Sequence, residues 1–166
     1  MKRLNLAVYF MVMFFSAQAL SQQKANTEIM VTKDGYAIYG YDPVSYFTAA
    51  GPSKGDPAIT TDWRGATWLF STSENREAFL QEPDRYAPEY GGWCAYGMAK
   101  GYAAETDPLN AWTIHNNKLY LNWDEKVSRK WNKKLGKYLS KSEANWPDVQ
   151  GDLQQGEAEI YWKEDQ

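Results

Sequence analysis

The single cysteine, Cys94, is the feature that most limits what this 166-residue chain can fold into. The chain opens with an export leader, and one cysteine in an exported protein cannot close an internal disulfide. Stability therefore has to come from packing alone. Aromatic residues make up 16% of the sequence, with eight Trp and twelve Tyr among them. Such side chains bring large apolar faces, while their polar tips still reach a partner or water.

Lys2 and Arg3 form a positive n-region, Leu4 to Phe15 an apolar stretch, and Ala17-Gln18-Ala19 a small-residue cleavage motif. These are the parts of a secretory signal peptide, which we assign to residues 1–19. Ala19-Leu20-Ser21 obeys the same rule and allows cleavage at 21, so the mature start falls near Leu20 to Gln22. An uncleaved anchor is the alternative, but the apolar run is short of the roughly 18 to 20 residues a spanning helix needs. No cysteine stands at the cleavage site, which excludes lipid attachment there. The expected location is periplasmic or secreted, with no membrane span after signal removal.

About 145 residues remain, enough for one domain with a real core but hardly two. Without Lys2 and Arg3, 16 basic residues face 21 acidic ones, a net charge near -5. That balance argues against nucleic-acid binding.

Strand-like stretches at Glu28 to Val31 and Tyr36 to Tyr41 flank Lys33-Asp34-Gly35 and predict a hairpin. Asp42 is placed to cap a short helix over Pro43 to Ala50, with Pro at the first helical position. Ala58 to Trp63 and Ala66 to Phe70 around Arg64-Gly65 predict a second hairpin. The run Ser71 to Leu80 begins with hydroxyl residues that can cap and predicts a second helix, with Pro83 to Pro88 extended after it. Trp112 to His115 and Lys118 to Leu121 bracket Asn116-Asn117, the clearest hairpin in the chain. Its register pairs Ile114 with Leu119 and Trp112 with Leu121 on one face, leaving His115 opposite Lys118 on the other.

Val127, Trp131, Leu135, Tyr138 and Leu139 recur at helical spacing and predict the longest helix over Asp124 to Leu139, with Pro147 ending any extension. Lys126, Arg129, Lys130, Lys133, Lys134 and Lys137 line its other face. From Asp148 on the chain is polar and acidic, either a weakly docked helix or a frayed tail. The expected architecture is a single α+β domain over 28–147, small antiparallel hairpins packed against short helices and one longer C-terminal helix. Residues 148–166 form an acidic tail.

Chemistry points to Tyr90-Gly91-Gly92-Trp93-Cys94-Ala95-Tyr96-Gly97-Met98, where glycines admit close approach and the lone thiol follows. The combined spacing of Asp42-Pro43-Val44-Ser45, Phe70-Ser71-Thr72 with Asn75 and Phe79, and Pro83-Asp84-Arg85-Tyr86 resembles the YHS domain, a small module associated with heavy-metal handling. Gly91-Gly92-Trp93-Cys94-Ala95 and Lys118-Leu119-Tyr120-Leu121-Asn122 resemble its exported bacterial branch, some members of which carry selenocysteine at the position matching Cys94. The resemblance runs from about Tyr36 to Pro147. It implies a metal site whose ligands are cysteines at the positions matching Ser45, Ser71 and Asn75, and here all three thiols are gone. Hydroxyls and an amide are poor substitutes for soft or borderline metals.

Three readings of Cys94 stay open: a small buried hydrophobe, a reactive thiol, and a metal ligand. Met98, four residues on, would share a helix face with it and offer a soft Cu(I) pair, or fill core space. His115 reads as an exposed hairpin residue, since a catalytic dyad would require it to reach Cys94. Asp42 reads as a cap rather than a general acid or base. The basic helix face reads as solvated, and the aromatic content as core packing more than a ligand groove. The first expectation is a non-enzymatic protein binding copper or another soft metal at Cys94 with help from Met98. A single-cysteine redox protein acting on a disulfide or peroxide, resolved by an external thiol, is the second. A partner-binding module with a structural cysteine is the third.

Overall fold

The computed structural model describes residues 28–48 and 50–163, so the stretch expected to be a signal peptide lies outside the described residues. The fold is α+β, with two-stranded sheets, short helices and one longer C-terminal helix arranged around two hydrophobic cores.

The first expected hairpin is reduced to a turn. Gly35 N–H donates to the Thr32 carbonyl, and a single antiparallel bridge joins Val31 to Ala37. Extension stops because Ile38 and Tyr39 adopt left-handed backbone, φ 43° and 58°. A β-branched residue does so at a cost of about 1–2 kcal/mol, offset here by the complete burial of Ile38 in the first core. The expected helix over Pro43 to Ala50 is likewise only a 3-10 turn, Ser45–Phe47.

The second hairpin forms as expected from β1 (Asp56–Trp63) and β2 (Ala66–Phe70). Its register slips between Asp56 and Thr60, the stretch containing Pro57, which has no N–H for a ladder. Helix α1 (Ser73–Gln81) is capped by Thr72, whose hydroxyl accepts from Asn75 N–H at 3.1 Å. Pro83, expected in an extended stretch, instead starts α2 (Pro83–Tyr86), where its missing N–H is not needed. Phe79 of α1 meets Trp63, Trp68 and Phe70 of the hairpin ring to ring, forming the centre of the first core.

After α2 come a left-handed turn at Glu89–Gly92, α3 (Ala95–Met98) and β3 (Ala103–Ala104). Strands β4 (Trp112–His115) and β5 (Lys118–Leu121) pair in the predicted register. Leu119 and Leu121 enter the first core, whereas Tyr120 enters the second beside Trp131. His115 is half-buried rather than fully exposed.

The predicted long helix is two helices, α4 (Glu125–Lys133) and α5 (Leu135–Gln155), separated at Lys134 with φ -133° and ψ 42°. One unbroken helix from Asp124 to Gln155 would be roughly 48 Å long, longer than a domain of this size is wide. The break lets Trp131 of α4 and Tyr138, Val149 and Leu153 of α5 reach the same core. Pro147 lies inside α5 and does not end it. An interior proline costs about 3 kcal/mol, and burying Val149 and Leu153 returns about 1.5–3 kcal/mol each. The residues assigned to a tail thus continue the helix to Gln155, and β6 (Ile160–Tyr161) then pairs in parallel with β3. A chain ending at Trp146 should lose more than about 3 kcal/mol of stability, read as a lower urea midpoint.

Candidate functional site

The turn before the cysteine is held by the N-terminal segment. The Gly91 carbonyl accepts from Met30 N–H at 2.8 Å, and Trp93 Nε1 donates to the Glu28 carbonyl at 3.1 Å. Gly91 has φ 63°, and a Cβ there would lie 2.1 Å from the Glu28 carbonyl oxygen. Cys94 N–H then donates to the Ala104 carbonyl, and Cys94 becomes the N-cap of α3. Helix α3 is a single turn that packs tightly on its surroundings. A Cβ on Gly97 would lie 3.0 Å from the Tyr102 ring.

The Cys94 sulfur is buried but well supplied with polar contacts. It accepts from Trp123 N–H at 3.2 Å and Gly97 N–H at 3.4 Å, and faces Asn122 Oδ1 at 3.8 Å. Asn122 Oδ1 also accepts from Tyr96 N–H at 3.1 Å, which fixes the orientation of this wholly buried amide. Burial pushes the Cys94 thiol up, while the Gly97 and Trp123 amides and the Lys163 ammonium pull it down. Burial prevails, so the thiol is held protonated above its ordinary range and can donate to Asn122 Oδ1.

Cys94 lines a cleft of about 210 Å³ whose walls include Tyr96, Tyr102, Trp123, Val127 and Tyr161. Lysines rest on two of these rings: Lys130 and Lys100 lie 4.7 and 5.6 Å from the Tyr96 ring centre, and Lys163 lies 5.4 Å from that of Trp123. A hydrogen bond with Lys130 lowers the pKa of the Tyr96 phenol.

Met98 does not line this cleft. Its side chain is wholly buried in the second core. His115 pairs with Lys118, at the opposite end of the hairpin from Trp123, roughly 16 Å away along the strand direction. Asn122, the side-chain partner of the sulfur, is one site residue that sequence reasoning missed, and the cleft walls at Tyr102, Trp123, Val127 and Tyr161 are others. For Asn122 the available signal was a polar residue placed directly between an apolar strand and the Asp124 cap of α4.

A second polar centre lies in the first core. Ser45, Ser71 and Asn75 converge on Asp42, which is completely buried. Asp42 Oδ1 accepts from Val44 and Ser45 N–H, as expected of a cap. Oδ2 accepts from Ser71 N–H at 2.8 Å, Ser71 Oγ at 2.6 Å and Asn75 Nδ2 at 2.6 Å, and Ser45 Oγ donates to the Asp42 carbonyl. The polar atoms at the three positions matched to ligating cysteines are thus engaged with one carboxylate residue. Among the described residues, no group of three or more His, Cys, Asp and Glu is placed to hold a metal ion.

Fold and site together define an α+β domain with a buried cysteine among the residues that line an aromatic cleft. No protein-family model matches the chain, and no curated protein or solved structure does either. Among the described residues, no helix is long and apolar enough to cross a membrane.

Proposed function

We propose that this chain is an exported YHS-like domain protein whose working group is Cys94, acting by thiol chemistry on a small molecule that enters the cleft. One observation carries the reading: Cys94 lines a cleft while its sulfur accepts two backbone N–H groups, from Trp123 and Gly97. Those donors stabilise negative charge on sulfur, the charge of the thiolate that is the nucleophilic form of the group. In the cycle, Cys94 loses its proton and attacks one sulfur of a disulfide. The S–S bond breaks, the leaving thiolate takes up a proton, and an external thiol then displaces the bound half as a new disulfide. External resolution follows from the sequence, which has no second cysteine.

The expectation of Cu(I) at Cys94 with Met98 has less support, because the second sulfur is packed in the core and backbone donors occupy the first. Retention of Cu(I) against a chelator, lost in Cys94→Ser, would restore it.

The test is alkylation of the native mature chain by iodoacetamide across a pH series. Raising a thiol's pKa removes thiolate at neutral pH, so the rate should climb with pH and level off above the ordinary thiol value of about 8.5. Cys94→Ser should abolish it. Labelling only after denaturation would reduce Cys94 to a structural residue and end this reading.

A further inference from the structure

We infer that the cleft over Cys94 binds a small anion with an apolar body the size of one ring. This rests on the cleft being the working site and names the class of molecule that enters it. Size comes first. A cavity of about 150 Å³ lined by apolar side chains accommodates benzene, so the space here, about 210 Å³, admits one ring with a short substituent. Wall chemistry comes second. Tyr102 and Tyr161 stand 4.7 Å apart, tilted by 54°, and Val127 and Ala104 complete a surface that rewards an apolar body.

Charge selects the substituent. Lys100 and Lys130 sit over the Tyr96 ring and Lys163, whose ammonium also donates to the Thr106 carbonyl at 2.9 Å, lies over the Trp123 ring, so ammonium groups accompany the rings that form the walls. Glu159, which accepts from the Tyr161 hydroxyl, and Glu105, which accepts from Lys163 N–H, bring two negative charges to the same neighbourhood against the three lysines, which leaves positive charge in excess. A carboxylate or similar anion at the mouth would meet the lysines while its ring lies against Tyr102 and Trp123. A cationic ligand would be repelled, and a neutral one would gain only the apolar contact.

The experiment uses Cys94→Ser, so that binding is read apart from thiol reactivity. Benzoate, benzyl alcohol and benzylamine are titrated while the backbone amide signals of Gly97 and Trp123 are followed by NMR. Benzoate should bind with a Kd of about 1 mM, benzyl alcohol should bind more weakly, and benzylamine should not bind. Replacing Lys130 and Lys163 by Ala should weaken benzoate about fivefold, the scale of exposed charge pairs, and leave benzyl alcohol unchanged. Val127→Trp, with its fold checked by circular dichroism, should fill the cleft and abolish binding of both benzoate and benzyl alcohol. Equal affinity for the three probes, benzoate binding that survives Val127→Trp, or no shift at either amide would overturn the inference. Alkylation of Cys94 in the native chain is unaffected by those results, so each reading can fail alone.

Discussion

Asp42→Ala is expected to lower the unfolding free energy by on the order of 5 kcal/mol, because five donors converge on a carboxylate wholly removed from water. Each buried donor left without a partner costs about 1–3 kcal/mol, partly recovered where a donor turns elsewhere. Against a total of about 5–15 kcal/mol for a domain, such a loss leaves little folded protein at moderate urea. Asp42→Asn should cost less. It keeps the shape and an oxygen for Val44 and Ser45 N–H, but turns an amide NH₂ toward Ser71 and Asn75, which also donate. Ser71→Ala removes a donor and leaves the carboxylate its other partners, so it should cost least. A series in that order identifies the carboxylate as the organiser; equal urea midpoints for Asp42→Ala and the parent would show that the network contributes no net stability.

Gly91→Ala should destabilise the domain by about 2–5 kcal/mol through two separate costs, left-handed backbone and overpacking. The added methyl would overlap the Glu28 carbonyl oxygen, which is backbone and cannot swing aside as a side chain would. Moving Glu28 strains the bond from Trp93 Nε1 and the neighbouring bond from Met30 to Gly91, both of which set the turn leading to Cys94. Native-state iodoacetamide labelling of Cys94 should therefore rise in the same variant. Wild-type stability and wild-type labelling would together show that the N-terminal segment does not brace the site.

The hairpins over Asp56–Phe70 and Trp112–Leu121 were legible because their signals are local, whereas the one expected over 28–41 was reduced to a turn. Asn116-Asn117 and Arg64-Gly65 accept left-handed backbone, and alternating residues on either side set the register. The cap at Asp42 was legible for the same reason, as a residue that bonds the next few amides. Its other oxygen was not, since the partners Ser71 and Asn75 lie 29 and 33 residues away. Pro147 misled because a local rule favours a helix end there, whereas burial of Val149 and Leu153 favours continuing. At the site, the glycines and the thiol marked the place. The cleft could not be read, because Trp123 and Tyr161 reach it from α4's leading edge and from β6 near the chain's end. Met98 was misleading in a different way: an i, i+4 spacing states which residues share a face of a helix, not whether that face opens to a cleft or a core.

Strand β5 sends Leu119 and Leu121 to one core and Tyr120 to the other, so consecutive residues serve different halves of the molecule. It has no outward face on which sequence drift can go unnoticed along this run. A change in size at Leu119 or Leu121 is felt around Phe79 and the Asp42 side, and one at Tyr120 is felt around Trp131 and the α3 side. The half that carries the thiol therefore cannot diverge independently of the half that carries the buried carboxylate. Selection on either centre therefore constrains three adjacent residues of one strand.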